Sequence, residues 1–398
     1  MPSRIYLDHN ASSPLLAQAH EAITLALAAS ARPWGNASSP HAPGQAARVA
    51  LEEARIGVAR TIGAEPREVV FVSGGTEADN LAIQGVGRAW IAAGRPPNRL
   101  ITSAVEHPAV LETCRHLQSE GWSVTVLPVD SDGIVDPAQA RRALAGGAAL
   151  VSVMAANHET GVVQPVASIA KLAREAGVLM HVDAVQAAGR IPIDVKALGV
   201  DLLSLSAHKM GGPAGIGALF VREGVELRGL MLGGSQERRR RPGTESPVLA
   251  AGFVAAARAA RERDDGPHIE NLRDRMEREL LLRIEGARVN GAGAPRLPNT
   301  SSLTISGMDN EALVIRMDLM GFALSTGSAC STGSSRPSHV LAAMGLSAAD
   351  IASTIRISLG TATSASEIDA LIEELPRAVA LIRRASASGA QDGKAGRS

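Results

Sequence analysis

The feature that most constrains this chain is residues 201–221, DLLSLSAHKMGGPAGIGALFV, where an apolar run leads directly into a lysine and a glycine-rich turn. Residues 202–205 have the length of a buried strand, and Ser206, His208 and Lys209 follow them. Lysine is rarely buried without a partner, and desolvation lowers the pKa of the amine so that it becomes a usable nucleophile or base. Taken alone, an ordinary strand that ends in a surface turn explains this stretch equally well.

A second apolar run, residues 178–186 (VLMHVDAVQ), favours the functional interpretation because it ends in Asp183 and Gln186. Strands that alternate with helices predict a mostly parallel sheet with right-handed crossovers. The carboxyl ends of such strands are where ligands bind. An acid after one strand and Lys209 after a later one suit pyridoxal 5'-phosphate (PLP), because the lysine binds the aldehyde and the acid keeps the pyridine nitrogen protonated.

Three motifs resemble a known family. HVDAVQ at 181–186, SLSAHKMGGPAGIGALFV at 204–221 and STGSAC at 325–330 resemble the cysteine desulfurases, within the class V aminotransferase group of PLP enzymes, and above all their long-loop branch. The resemblance extends from about residue 6 to about residue 384. It implies an α/β protein with the PLP-dependent transferase fold (aspartate aminotransferase-like, fold type I), which has a mostly parallel central sheet.

The length of 398 residues suits two domains. We predict a large PLP-binding domain over 15–262, and a small α/β domain formed by 1–14 and 263–384 that carries the cysteine loop. Residues 385–398 are small and polar and are predicted to form a disordered tail.

The composition argues against several classes of partner. Lys plus Arg equals Asp plus Glu at 40 each, and aromatic residues make up 2%, so we expect no nucleic acid and no charged membrane surface. No apolar run approaches the ~18 residues of a membrane span, and the N-terminus lacks the apolar core of a signal peptide. Two distant cysteines, Cys114 and Cys330, indicate a reducing compartment, and we expect a cytoplasmic protein.

A phosphate site is predicted where strand 69–72 passes through SGGTE (73–77) into a helix. Small residues at such a turn expose backbone N–H groups at the positive end of the helix dipole. An ordinary N-cap by Ser73 or Thr76 is the structural alternative. Because this turn, like Lys209 and Asp183, comes at the end of a predicted strand, we expect phosphate binding by Gly75 and Thr76. The resemblance adds Ser206, His208 and, from the partner subunit of a homodimer, Thr244.

Cys330 lies at the centre of STGSACSTGSS (325–335), which has no large apolar residue to anchor it and is therefore expected to be mobile. A structural cysteine would not be placed in such a loop. In the family this cysteine attacks the substrate sulfur and becomes a persulfide. Cys114, flanked by Leu111 and Leu117, is expected to pack inside a helix.

The resemblance assigns further roles around the cofactor. His107 of EHPAV would lie against the PLP ring, and Gln186 would face its phenol oxygen. Asn157 of NHETG would hydrogen-bond that oxygen or the substrate. The predicted catalytic residues are thus Cys330, Lys209 and His107.

Two further residues are predicted to bind the substrate. Arg356 would pair with the substrate carboxylate, a bidentate task suited to guanidinium, and Asn36 lies in a polar loop, 34–44, near the site entrance. This sequence departs from the family at His9 and at His158, where a second asparagine is usual. No metal is predicted, because NHETG lacks the second histidine of the HExxH zinc motif.

The predicted activity is a PLP-dependent conversion of L-cysteine to L-alanine that leaves a persulfide on Cys330. The sulfur would pass to an acceptor protein, and an iron–sulfur scaffold, a tRNA thiolation relay and DNA phosphorothioation all remain open. A selenocysteine lyase on the same fold is an alternative of the same class. A non-catalytic sulfur relay or scaffold is an alternative of another class, and the joint presence of Lys209, Asp183 and Cys330 argues against it.

Overall fold

The computed structural model describes residues 4–30, 35–327 and 337–395, with side chains described as far as residue 384. Its strands, in chain order, are β1 (Ile5–Tyr6), β2 (Val69–Val72), β3 (Arg99–Ser103), β4 (Ser123–Leu127), β5 (Leu150–Ser152), β6 (Leu179–Asp183), β7 (Leu202–Ser206), β8 (Gly217–Val221), β9 (Ala287–Val289), β10 (Thr300–Ile305), β11 (Phe322–Ala323) and β12 (Thr354–Ser358).

The helices of the described residues are α1 (Ala17–Ser30), α2 (Ala42–Thr61), α3 (Gly75–Ala92), α4 (Pro108–Ser119), α5 (Pro137–Leu144), α6 (Val166–Glu175), α7 (Val195–Leu198), α8 (Pro247–Glu262), α9 (Gly266–Arg283), α10 (Asn310–Leu319), α11 (His339–Ala343), α12 (Ala348–Ile351) and α13 (Ala365–Ala395). The strands expected at 69–72, within 178–186 and at 202–205 are present as β2, β6 and β7. Helix α13 continues to Ala395, into the stretch 385–398 for which the sequence predicts a disordered tail.

The main sheet of the described chain has the spatial order β2-β8-β7-β6-β5-β3-β4. Every neighbouring pair is parallel except those of β8, which runs antiparallel to both β2 and β7. The predicted mostly parallel sheet is therefore confirmed. Strands such as β2 (VVFV) and β7 (LLSLS) are buried along their whole length, as expected where helices cover both faces of a sheet.

A second set of strands lies in the C-terminal part of the chain. Antiparallel β9, β10 and β12 form one small sheet, and β1 pairs in parallel with β11. Their apolar side chains form a cluster separate from the core of the main sheet. The N-terminal strand thus pairs with a strand of the C-terminal part of the chain. The division into a large domain over 15–262 and a small domain of 1–14 and 263–384 stays a prediction.

The sheet brings distant parts of the sequence to one edge. Adjacent strands β5, β6 and β7 end at Ser152, Asp183 and Ser206, and the register pairs Asp183 with Ser204. The end of β2 lies at the same edge, because Gly217 of β8 pairs with both Ser206 of β7 and Val72 of β2. A Cβ atom at Gly217 would lie 2.4 Å from the carbonyl oxygen of Leu205, so only glycine allows this close approach.

None of the helices in the described ranges combines the length and apolar character that a bilayer crossing requires.

Candidate active site

A cavity of about 400 Å³ opens at the carboxyl ends of β5, β6 and β7. That volume lies in the range of small-molecule sites. Nine predicted site residues line it together: Gly75, Thr76, His107, Asp183, Gln186, Ser206, His208, Lys209 and Arg356. The lining is completed by Asn10, Ala11, Asp79, Met154, His158 and Val185.

Lys209 enters the cavity from a short 3₁₀ turn, Ala207–Lys209, directly after β7. Its Nζ donates hydrogen bonds to the carbonyl oxygens of Asn10 and Ala11, the latter at 2.9 Å. Its own carbonyl accepts from the Ser13 hydroxyl at 3.0 Å. The N-terminal segment therefore fixes both the backbone and the amine of Lys209, so the sequence pattern of a strand-end lysine does mark an interior amine.

Asp183, the last residue of β6, is the acid of the cavity. It is 6% exposed, and its Oδ1 accepts from the backbone N–H of Val185 at 2.9 Å. Burial raises the pKa of Asp183 to about 6, while the Val185 hydrogen bond and the positive charge of Lys209 lower it. A cation placed against this carboxyl would hold it ionised near neutral pH.

Asp79 adds a second buried carboxyl to the same wall, from the second turn of α3. Burial and the nearby Asp183 raise its pKa well above the ordinary value. Its Oδ1 lies 3.7 Å from Nε2 of His181 and has no hydrogen-bond partner among the described residues. His181 in turn contacts the hydroxyls of Ser152 and Ser204, at 2.8 and 2.9 Å.

The N-terminus of α3 borders the cavity through Gly75 and Thr76. The N-cap is Gly74, and no side-chain hydrogen bond caps the helix, so the alternative of an N-cap by Ser73 or Thr76 is not realised. Thr76 and, from the end of β7, Ser206 line the cavity beside it. Uncapped N–H groups together with two hydroxyls are a suitable environment for a phosphate.

His208 completes that environment. Its Nδ1 lies 3.2 Å from the Ser12 hydroxyl. Burial and the neighbouring Lys209 and Arg190 lower the pKa of His208 to about 4. The imidazole is therefore neutral at physiological pH until an anion compensates for the surrounding positive charge.

Two imidazoles lie edge to face in the cavity wall. The ring centroids of His107 and His158 are 5.4 Å apart, with an angle of 71° between the ring planes. His107 is the N-cap of α4, and its Nδ1 accepts from the backbone N–H of Ala109 at 3.1 Å. Burial, Lys209 and His339 lower the pKa of His107 to about 4.

Arg356 extends from β12 into the cavity and is 2% exposed. Its guanidinium contacts Asp8 Oδ1 at 2.7 Å, the carbonyl of His158 at 3.0 Å and that of Gly327 at 3.2 Å. Its Nε is buried and has no hydrogen-bond partner among the described residues. An anionic substrate group would therefore complete the donor set of this arginine.

Four predicted site residues do not line the cavity. Asn157 is buried behind it, where its Oδ1 accepts from the N–H groups of Glu159 and Thr160 and its Nδ2 donates to the carbonyl of Val105. Asn36 and Thr244 are exposed. Cys330 lies outside the described residues.

An asparagine directly after a strand can satisfy the N–H groups of its own turn, as Asn157 does here. Its contact with the cofactor or the substrate stays a prediction. The neighbouring His158 occupies the cavity wall instead. Gln186 does line the cavity, but its amide nitrogen donates to the carbonyl of Asn10 at 3.0 Å, and its amide oxygen accepts from Arg190.

Sequence reasoning missed Asp79, and a signal for it was present. Asp79 lies three residues after Thr76, between apolar residues Ala78 and Leu81 that face the core. A carboxylate on the apolar face of a helix that starts at a ligand site is a candidate for the site. Asn10 and Ala11 act through backbone carbonyls, which no side-chain pattern reveals.

The cavity fits PLP in four independent respects. Lys209 supplies a half-buried amine, Asp183 a carboxyl with raised pKa, and the uncapped start of α3 a set of backbone N–H groups that could bind an anion. The unpartnered buried atoms Asp79 Oδ1 and Arg356 Nε show that the site provides more polar groups than the protein itself satisfies.

Comparison with known proteins agrees with this geometry. The family model "Aminotransferase class-V" matches residues 5–371. A cysteine desulfurase of Cereibacter sphaeroides is 45% identical, over 98% of this chain and 100% of the relative. The chain belongs to the cysteine desulfurase family. The family predicted from the motifs is thereby confirmed over nearly the whole chain.

Solved structures of the family extend the comparison to three dimensions. A NifS-like protein superposes with a TM-score of 0.86 at 32% identity, covering 95% of this chain and 100% of the other. A structure described as SspA in complex with cysteine superposes with a TM-score of 0.78 at 34% identity, covering 89% and 98%. The predicted fold type I architecture is therefore confirmed.

Proposed function

We propose that this protein is a PLP-dependent cysteine desulfurase that converts L-cysteine to L-alanine and passes the sulfur through Cys330 to an acceptor protein. The observation that carries the proposal is the convergence of Lys209, Asp183 and the start of α3 on one cavity. The cysteine-bound SspA structure supports the choice of substrate.

Bound PLP supplies an electron sink that acidifies the Cα–H of an attached amino acid. Lys209 would hold the cofactor through Nζ, and Asp183 would hold a proton on the pyridine nitrogen. Thr76, Ser206 and His208 would bind the phosphate around the start of α3. When it is not bound to the cofactor, Lys209 Nζ would also serve as the base that takes the Cα proton of the substrate.

Arg356 would bind the substrate carboxylate. Its side chain is fixed by Asp8 and by two backbone carbonyls, so little conformational freedom is lost when the carboxylate arrives. Asp8 already compensates much of its positive charge, which favours a site that releases product readily over one that holds it tightly.

The sulfur transfer needs no external oxidant or reductant. The Cys330 thiolate attacks the substrate Sγ, the S–S bond forms as the Cβ–Sγ bond breaks, and its electron pair stays with the carbon skeleton. Protonation of that carbon then yields alanine. Cysteine plus the Cys330 thiol thus become alanine plus a Cys330 persulfide, with atoms and electrons in balance.

The assignment of Lys209 can be tested with unusual clarity, because the whole chain contains only four lysines. Borohydride reduction of the purified holoprotein should attach PLP to Lys209 and to no other lysine. The variant K209A should lose this adduct and the release of alanine from L-cysteine. The matched control K171A changes an exposed lysine on α6 and should retain both. An adduct on another lysine, or normal alanine release by K209A, would refute the assignment.

Thr244 and the homodimer form a separate part of the proposal. Thr244 is exposed and does not line the cavity of its own chain. That position is compatible with a role in the phosphate site of a second copy, as the family resemblance implies. Capture of partner proteins by the persulfidated protein would identify the sulfur acceptor. Comparison of alanine release from cysteine and from selenocysteine separates a desulfurase from a selenocysteine lyase.

A further inference from the structure

His158 is a buried imidazole of the cavity that no step of the proposed function uses. It stands where the family resemblance predicts an asparagine, it is 6% exposed, and it lines the cavity beside His107. Its Nδ1 is buried without a hydrogen-bond partner among the described residues. A buried polar atom without a partner destabilises the fold, so its retention requires an explanation.

The backbone at His158 is held from two sides. Its carbonyl oxygen accepts from Arg356 Nη1 at 3.0 Å and from Asn10 Nδ2 at 3.1 Å. The turn that follows is fixed by Asn157, whose Oδ1 accepts from the N–H of Glu159 at 2.9 Å. The ring of His158 is therefore attached to a rigid backbone directly beside His107.

His107 has a defined tautomer in this structure. Because its Nδ1 accepts the N–H of Ala109, neutral His107 carries its proton on Nε2. Protonation of Nδ1 would break that bond and remove the N-cap of α4. Access of water to the His107 ring would favour this protonation, and the ring of His158, whose centroid lies 5.4 Å from that of His107, occupies part of that space.

We propose that His158 is a positioning residue for His107: its ring, packed in a T-shaped pair with His107, holds that imidazole in place and excludes water from it, so that the Nδ1 of His107 stays the hydrogen-bond acceptor of the α4 N-cap. The proposal rests on the function proposed above, in which His107 contacts the cofactor. An asparagine side chain is shorter, binds water more strongly and offers no ring edge.

The charges around the pair favour two neutral rings. Burial is the largest cause that lowers the pKa of His158 well below its ordinary value. The cationic and imidazole groups that lower it further are His107, Arg356, His339 and Lys209. Its nearest carboxyl is Glu159, with Oε1 3.7 Å from Nε2, and burial raises the pKa of Glu159. A neutral His158 adds no charge beside His107 and still fills the space.

The test is a histidine titration by NMR on the PLP-loaded protein, with labelled imidazole carbons and the His107 signal assigned through H107Q. H158N removes the ring edge, and H158F keeps a ring but removes both nitrogens. H116N is the matched control, since His116 is an exposed residue of the same helix as His107. PLP content and circular dichroism establish that each variant is folded.

In H158N the pKa of His107 should rise by at least about one unit, since hydration restores the charged form. The acid limb of the kcat/KM profile should move by the same amount. H158F and H116N should leave His107 neutral above about pH 5. An unchanged His107 in H158N, or an equal rise in H158F, would overturn the proposal.

Loss of PLP by a variant and failure of the proposed desulfurase function can each be distinguished from failure of the proposed role of His158. If H158N does not retain PLP, H158Q makes the same contrast with H158F. The titration needs no turnover, so a protein that shows the predicted shift but forms no alanine from cysteine would refute the desulfurase function and leave the role of His158 standing.

Discussion

At the scale of single residues, burial determines the protonation states of the site. Asp183 and Glu106 lie in the interior with raised pKa values, while His107 and His208 have lowered ones. In each case desolvation of the charged form is the largest cause, and neighbouring charges modify it. Near neutral pH the imidazoles of His107 and His208 in the cavity are thus neutral, and Asp183, with a pKa of about 6, gains or loses a proton close to that pH, which suits proton transfer.

Replacement of Arg356 by lysine should raise KM for cysteine by roughly 10- to 100-fold, because a point charge loses about 1.5–3 kcal/mol of charge-assisted hydrogen bonding. The effect on kcat should be smaller. Steady-state kinetics at saturating PLP measures both. The exposed Arg283 of α9 provides the control, R283K, which should behave like the parent. Equal KM values for R356K and the parent would move the carboxylate site elsewhere.

Glu106 gives the protein a pH-dependent stability. It is fully buried, its Oε1 accepts from the N–H of Met154 at 2.9 Å, and burial raises its pKa to about 8. Between the ordinary value near 4.5 and about 8 the folded state keeps this proton while the unfolded state loses it. The contribution of Glu106 to the free energy of unfolding is therefore smallest at high pH. The stability of the protein falls as the pH rises through this window.

The variant E106Q removes that titration. The melting temperature of E106Q minus that of the parent should increase steadily from about pH 5 to about pH 8. The corresponding difference in the free energy of unfolding changes by at most about 1.4 kcal/mol per pH unit. Calorimetry of both proteins at one scan rate checks this. A difference that does not change with pH would contradict the buried, protonated state of Glu106.

At the scale of elements, the turn between β2 and α3 forms one side of the proposed phosphate site. A Cβ atom at Gly75 would lie 2.6 Å from Cγ2 of Val185, which follows strand β6 by two residues. The first residue of the helix and the segment after Asp183 are thus packed in direct contact. Any larger residue at position 75 must displace one of them.

G75A should weaken PLP binding by roughly 5- to 100-fold, because overpacking of this kind costs about 1–3 kcal/mol. The double variant G75A/V185A should recover most of the lost affinity, since the smaller Val185 replacement makes room for the new methyl group. V185A alone serves as the control. Fluorescence titration of PLP into the apoprotein measures all four affinities. Failure of the second substitution to restore binding would show that the contact is not the cause.

Sequence patterns predicted those parts of the site that depend on local chain geometry. A strand followed by small residues and a helix gave Gly75 and Thr76, and a strand followed by a lysine gave Lys209. The sequence did not reveal residues whose role depends on tertiary neighbours. Asp79 becomes part of the site only because α3 packs against β6 and β7. Strand β8 runs antiparallel to β7 after a glycine-rich segment that has no strand-specific pattern.

At the scale of the whole molecule, the family resemblance makes the proposed homodimer part of the chemistry through Thr244. A mixed dimer of one K209A chain and one chain impaired at Thr244 separates the two possibilities. If Thr244 acts across the interface, the second chain's Lys209 meets an intact Thr244 and one working site is rebuilt. Activity should then recover towards half that of the parent.

The mixed dimer is obtained by co-expression of the two chains with different tags. Activity no higher than that of either impaired homodimer would place Thr244 in the site of its own chain. The Thr244 variant must first be shown to bind PLP poorly as a homodimer, and a substitution that meets this condition is chosen before the mixed dimer is made.

The central claim is that sulfur from cysteine passes to Cys330, and the chain contains its own internal control. Cys114 is the other cysteine, and burial raises the pKa of its thiol to about 12, so it should not react. Mass spectrometry of the protein after a single turnover should find one added sulfur atom on the peptide that contains Cys330, none on Cys114, and an equal amount of alanine. Alanine formation at the parental rate by C330S, or sulfur on Cys114, would contradict the account.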